Sequence, residues 1–378
     1  MNRPADERKI RRKVKEMNEL KEGLTNRACT KKIIVGSVEI GGGTSVKIQS
    51  MTTTKTSDVA ATVRQIEALK EAGCEIVRVA VADEDDAAAV KAVKEKISLP
   101  LVADIHFSPK LAVAAIENGA DKVRINPGNI GGEKEIKYVA DCIRAHKISV
   151  RVGANTGSIE PHFLQKYGRS AEALVESALY NVGILEKFGV EDIVISVKAS
   201  SVPLTVEAYT FLSERTSYPL HVGVTEAGTE EAGVIKSAVG IGSLLLRGIG
   251  DTIRVSLTDD PVKEIYAAKQ ILRACGLEEN FVEVVSCPTC GRCAWESMGL
   301  AKKVSDFVKK YPKKAKVAVM GCVVNGPGEA RDADIGIAGG NGFCLLFKKG
   351  EPYKKVKAEN AEEEFFEELK AFLDNGNE

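Results

Sequence analysis

The sequence lacks an excess of charge of either sign: lysines plus arginines number 53, and so do aspartates plus glutamates. No global basic field of the kind used for non-specific nucleic-acid binding follows from such a balance, so any anion must be met by local groups. Long apolar runs are also missing, and the opening MNRPADERKIRRKVKEMNEL is charged throughout, without the apolar core of a secretory signal. A cytoplasmic location is the expectation. The chain has no G-x-G-x-x-G between a strand and a helix, which excludes a dinucleotide site of the usual kind. Nor does it have a disulfide framework: its nine cysteines, at 29, 74, 142, 275, 287, 290, 293, 322 and 344, are odd in number and mostly isolated in apolar or helical contexts.

What is present is a repeat of form. With 378 residues and 44% hydrophobic content there is material for one large domain and a smaller one. From residue 45 a short β-branched run is followed by an Ala, Leu, Glu and Lys rich helical segment, eight times over. The predicted strands are 45–51, 76–81, 101–106, 122–128, 149–155, 192–200, 220–228 and 251–257. Helices are expected over stretches such as 58–72, capped by Ser57 or Asp58, and 170–188. Eight regular βα units predict a closed (β/α)8 TIM barrel, an α/β fold, over 31–275. The segment 31–43 reads as a hairpin turning near Gly36 and capping the bottom of that barrel. Residues 1–30 read as a charged N-terminal arm. Beyond the eighth helix the pattern changes to short strands and loops, so 280–378 is expected to be a small α+β domain. In its acidic tail, Phe365, Phe366, Leu369, Phe372 and Leu373 form a packing face.

Five of the eight strands carry a cation near their middle: Arg78, Arg124, Arg151, Lys198 and Arg254. Barrel strands are buried on both faces, and a buried cation requires a carboxylate or a bound anion. Asp104 and Glu226 are too few to neutralise five. The surplus points to an anionic ligand at the carboxyl ends of the strands, and guanidinium forks suit a phosphate or diphosphate. His106, Asn126, Asn155, His221, Glu226 and Ser256 add polar groups at strand ends, and the Gly and Asn rich loops 125–132 and 153–158 offer backbone amides to an anion.

CPTCGRC places Cys287, Cys290 and Cys293 together, and Cys322 follows in GCVVNGPGE. A C-x-x-C pair turns two thiolates toward one metal centre, zinc or iron-sulfur. The segment has neither a second C-x-x-C nor a His pair to complete a structural zinc site, which tilts the balance to a cluster.

The motifs QSMTTT, RINPGN, RVGANTGS, VTEAG, GIGDTIRVSL, CPTCGR and GCVVNGPGE, in this order, resemble the 4-hydroxy-3-methylbut-2-enyl diphosphate synthase family of the methylerythritol phosphate route to isoprenoids, in its short bacterial form. The resemblance runs from about residue 31 to about residue 345. It implies a [4Fe-4S] cluster held by Cys287, Cys290, Cys322 and Glu329. Cys293 departs from the pattern and is set aside as a structural or incidental thiol. A hard carboxylate among three soft thiolates is the most exchangeable ligand, so its displacement would open one iron to substrate. The resemblance implies a two-electron reductive opening and dehydration of 2-C-methyl-D-erythritol 2,4-cyclodiphosphate. Arg78, Arg124, Arg151, Asn155, Lys198, Arg254 and Ser256 would hold the diphosphate, Glu226 would manage protons at the leaving oxygen, and His106 would be a second polar contact. A ferredoxin or flavodoxin is the expected electron donor, and a head-to-tail homodimer sharing its sites is the expected assembly. Two rivals come from other classes: a zinc-stabilised aldolase or lyase with Lys198 as Schiff-base amine, which borohydride trapping would reveal, and a non-catalytic iron-sulfur carrier, for which the barrel cations would be surplus.

Overall fold

The computed structural model describes residues 26–374, apart from 289, 294 and 325. The chain divides into two compact units with the break between Leu277 and Glu278. The expected N-terminal arm falls largely outside the described residues.

The first unit opens with an antiparallel hairpin, β1 (Ile33–Val35) and β2 (Val38–Ile40), whose turn uses Gly36 at a φ of 58°, in the left-handed region that glycine enters without cost. Ile33, Val35 and Ile40 pack on Ile76, Val102 and Val194, which sit in the opening residues of three barrel strands. The hairpin therefore covers the bottom of the barrel, as its apolar alternation predicts.

Eight strands follow: β3 (Lys47–Met51), β4 (Ile76–Ala80), β5 (Leu101–Asp104), β6 (Lys122–Ile125), β7 (Ser149–Asn155), β8 (Ile193–Lys198), β9 (His221–Val222) and β10 (Thr252–Ile253). Their order is β8-β7-β6-β5-β4-β3-β10-β9, every pair parallel, and an isolated bridge between Ile195 and Leu220 joins the two ends into a ring. Helices lie between the strands. The one over Val59–Ala72 is capped by Asp58, whose carboxylate accepts from the Ala61 amide, while the Ser57 amide donates to Asp86 instead. Its Ile66 and Leu69 are fully buried against the strands, each burial contributing about 1.5–3 kcal/mol. β5 and β6 are buried at every residue, the near-continuous run that a parallel strand covered on both faces requires.

The second unit is a five-stranded sheet ordered β11 (Val282–Ser286), β12 (Ala315–Met320), β13 (Ile335–Gly339), β14 (Phe343–Lys348) and β15 (Glu351–Lys357). The first three strands are parallel and the last two antiparallel. Helices Ser297–Val308 and Ala361–Asp374 cover it through Leu300, Val304, Phe365, Leu369 and Leu373, with Phe366 and Phe372 half-buried beside them. The acidic tail is thus a packing element, as its spacing suggests. Among the described residues no helix is long and apolar enough to cross a membrane.

Candidate active site

The alternation of barrel strands puts every second side chain inside the ring, and the sequence fills those positions with cations. Three groups converge on Asp104, the last residue of β5. The Arg124 Nη1 donates to its Oδ1 at 3.2 Å, the Arg78 Nε stands 3.6 Å from Oδ2, and the His106 Nε2 lies 3.7 Å from the same oxygen. Burial alone would raise the Asp104 carboxyl, but Arg78, His106 and Arg124 hold it far below the usual carboxylate range. One carboxylate does not satisfy this set. Burial pulls the Arg78 guanidinium down to about 10 against the attraction of Asp104. Arg151 is 2% exposed, its Nε and Nη1 have no partner, and burial together with Arg78 and Arg124 pushes it well below its ordinary value. Lys198 is driven down in the same way, by burial and then by Arg151 and Arg254.

Two glycines make room for these side chains. A Cβ on Gly153 would stand 3.1 Å from both the Arg124 Nε and the Ser196 Oγ, and one on Gly223 would stand 2.8 Å from the Lys198 Nζ. Above the cations lies a cavity of about 490 Å³ lined by His106, Arg124, Asn126, Asn155, Ser158 and Glu160, among others. The structure so brings together His106, Arg124 and Asn155 at one opening, with Arg78, Arg151 and Lys198 buried within mutual electrostatic range.

The remaining predicted residues stand apart. Arg254 is already neutralised: its Nε and Nη2 each lie 3.4 Å from an oxygen of Glu264, a buried acid on helix Pro261–Ala274 that also accepts from Ser50 and the Leu257 amide. This corrects the count of five unsatisfied cations. Arg254 has an acid from outside the ring, while a sixth cation, Lys122, was overlooked although it shares a strand face with Arg124 two residues on. Lys122 is 0% exposed and its Nζ has no partner. Ser256 is half-buried beyond the end of β10. Glu226 is exposed and holds a left-handed φ of 52°, a conformation that costs a non-glycine residue about 1–3 kcal/mol. His221 is buried inside the barrel, hydrogen-bonded through Nδ1 to Thr252 at 2.8 Å, and is pushed well below its ordinary value by burial, Lys198 and Arg151. Its Nε2 is buried without a partner. Glu160 also escaped the sequence reading, although it lies two residues beyond the GANTGS loop; its Oε1 accepts from Asn181 at 2.7 Å.

In the second unit β11 and β12 are parallel neighbours, Ser286 paired with Val319, so their carboxyl ends emerge on the same edge. Cys287 follows the first strand and Cys322 the second. The Gly321 amide donates to the Cys287 Sγ at 3.0 Å, the kind of N–H to sulfur bond that stabilises a ligating thiolate. Cys290 is exposed, and the Arg292 backbone and side chain lower its thiol. Glu329 is exposed at the end of the short helix Gly326–Glu329. The donor set of three soft thiols and one carboxylate suits iron-sulfur chemistry, but among the described residues no three metal-donor side chains converge.

Residues 30–269 match the family model described as the GcpE TIM-barrel domain, and residues 283–371 match the GcpE protein C-terminal domain. The chain belongs to the GcpE family. A 4-hydroxy-3-methylbut-2-en-1-yl diphosphate synthase (flavodoxin) of Caldanaerobacter subterraneus subsp. tengcongensis is 56% identical over 348 residues, covering 92% of this chain and 98% of its own length. A relative with the same description in Ruminiclostridium cellulolyticum is 53% identical over 349 residues, with 92% and 99% covered. The chain is also similar to a crystal structure of Yersinia pestis dihydropteroate synthase, at a TM-score of 0.47 and 12% identity, over 64% of this chain and 97% of that one. Within the GcpE chain, the two family models divide at the same place as the two compact units.

Proposed function

We propose that this chain converts 2-C-methyl-D-erythritol 2,4-cyclodiphosphate to (E)-4-hydroxy-3-methylbut-2-enyl diphosphate, by reductive ring opening and loss of water. The observation that carries the reading is the surplus of buried cations: Arg78, Arg124 and Arg151 have Asp104 among them, while Lys198 is surrounded by further cations, Arg151 and Arg254 first. A diphosphate supplies the missing negative charge. Arg151, with two unpartnered guanidinium nitrogens, is the natural fork for its oxygens. Asn155 and Ser158 at the cavity wall supply neutral polar groups to orient the ligand, and Ser256 and Arg254, at the end of β10, would be further contacts of the diphosphate.

Cys287, Cys290, Cys322 and Glu329 would hold a [4Fe-4S] cluster, which when bound would relay the two electrons, one at a time, from the external donor. The chain's own part is to fix the diphosphate as a leaving oxygen, to exclude water and to manage protons. Glu226, placed by its left-handed backbone beyond β9, is the carboxyl assigned to the proton at that oxygen, with His106 as the second polar contact. A flavodoxin, named in the description of the relatives, or a ferredoxin would deliver the electrons in the cytoplasm. Each barrel helix returns the chain to the amino ends of the strands, opposite the cavity. We therefore infer a head-to-tail homodimer in which one copy's cluster unit serves the other's barrel. Heterodimers of an Arg151→Met chain with a Cys322→Ser chain are expected to regain activity; verified heterodimers without any would sink the sharing.

The first test is anaerobic reconstitution with iron and sulfide, followed by an assay of cyclodiphosphate consumption with a chemical reductant. Turnover that depends on the cluster and disappears in Cys322→Ser and Glu226→Gln supports the function. Zinc uptake, no cluster and untouched substrate would overturn it.

A further inference from the structure

Cys293, which the family resemblance leaves as a structural or incidental thiol, is set by the fold beside a proposed cluster ligand. A Cβ on Gly321 would stand 3.0 Å from the Cys293 Sγ and 3.4 Å from the Cys287 Sγ, so both sulfurs border the same spot, left free because residue 321 is glycine. The chain turns from Cys290 to Cys293, the Cys293 amide donating to the Cys290 carbonyl at 2.9 Å. The Cys293 thiol is oriented by the Trp295 carbonyl at 3.2 Å and the Ser297 hydroxyl at 3.4 Å. Trp295 is in turn pinned to β12 by its indole N–H, which donates to the Met320 carbonyl at 3.1 Å. Cys287 is anchored from the other side by the Gly321 amide and by packing against the apolar cluster that includes Met320 and Phe347. Cys290, the nearer cysteine in sequence, is exposed.

We propose that Cys287 and Cys293 form a reversible disulfide when the chain lacks its cluster and meets a peroxide. One thiol sulfur attacks the peroxide, the O–O bond breaks, and a sulfenic acid and water result. The second thiol then attacks that sulfur, the S–S bond forms and a second water leaves. The two thiols are oxidised by two electrons, which the peroxide accepts. A dithiol reverses the reaction by exchange. The bond shields Cys287 from irreversible oxidation to the sulfinic acid. Given the ligand assignment under the proposed function, on which this consequence rests, it also makes cluster insertion wait for reduction.

The test uses the full chain, cluster-free, treated with an equivalent of hydrogen peroxide, then mapped by differential alkylation and peptide mass spectrometry. The main cross-link is expected between Cys287 and Cys293, in wild type and in Cys290→Ser alike. In Cys293→Ser, Cys287 should instead accumulate as a sulfenic acid that dimedone traps, and a second equivalent of peroxide should carry it to the sulfinic acid. Iron and sulfide uptake by the oxidised wild type, followed by absorbance, should be lost and then restored by dithiothreitol. A main cross-link from Cys287 to Cys290 or Cys322, or retention of all free thiols, would overturn the proposal. If even the reduced chain builds no cluster, it is the cofactor assignment that fails, because the cross-link map does not depend on it.

Discussion

Replacing Lys122 by methionine should stabilise the barrel, and by an amount that falls as pH rises. Lys122 lies on β6 with Ser149 opposite it on β7 and Val102 on β5, fully buried and without a partner for its Nζ. Burial, then Arg151 and Arg78, lower its ammonium from an ordinary 10.5 to about 7. Below pH 7 both folded and unfolded chains hold the proton, and the folded chain bears the whole cost of the buried charge, about 5 kcal/mol at 1.36 kcal/mol per tenfold change. Between 7 and 10.5 the unfolded chain binds more protons than the folded one, so stability rises with pH, and at pH 9 about 2 kcal/mol of the cost remains. Methionine keeps the length of the side chain and removes the charge. Urea unfolding followed by far-ultraviolet circular dichroism should therefore show Lys122→Met ahead by about 5 kcal/mol at pH 6.5 and by about 2 kcal/mol at pH 9. The single tryptophan, Trp295, belongs to the other unit, so its fluorescence transition should not move. An equal gap at the two pH values, or a variant weaker than wild type at pH 6.5, would refute the reasoning.

Other perturbations of the cationic ring follow the same physics. Asp104→Asn leaves Arg78 and Arg124 without their carboxylate and should cost about 3–5 kcal/mol; thermal melting should show part of the loss recovered on adding inorganic diphosphate, and a melt unchanged from wild type would contradict it. Arg151→Met should act in opposite directions, stabilising the empty barrel and weakening diphosphate binding by about 10–100-fold in calorimetry, since a charge-assisted bond is worth about 1.5–3 kcal/mol. Gly223→Ala would push a methyl to 2.5 Å from the Arg254 carbonyl oxygen and 2.8 Å from the Lys198 Nζ, so an increase in KM of about tenfold is expected from the displaced lysine, together with a lower melting temperature from the backbone clash.

The eight strands and most of the cations were legible in the sequence because a parallel barrel imposes the same pattern eight times. Its apolar runs name the strands, and a charge inside such a run is anomalous wherever it falls. The partner of Arg254 was not legible. Glu264 sits on a helix, where an acid is ordinary, and only tertiary packing turns it inward to Arg254, Ser50 and the Leu257 amide. Lys122 was hidden by its neighbour, one cation per strand having been counted where β6 carries two. The stretches 220–228 and 251–257 promised full strands, yet β9 and β10 have two residues each. Gly223 brings its backbone against the Arg254 carbonyl, and Glu226 takes a left-handed conformation, so the chain turns out of the ladder early. The cysteine spacing identified the thiols but not their neighbours: Cys287 stands by Cys293 because Gly321, more than twenty residues away in the chain, has no side chain to separate them.

The ring of strands is not equally strong around its circumference. Where β8 meets β9 a lone bridge replaces a ladder, and β10 shares two residues with each neighbour. That section of wall leads directly into the VTEAG loop and Glu226. Its amide hydrogens should trade with solvent before those of β5 to β7, since few shared bonds must break to release them. The barrel can thus flex beside its acid while the opposite wall, bearing Asp104, Arg124 and Arg151, keeps its shape, so the anion would rest on the rigid side and the proton on the compliant one.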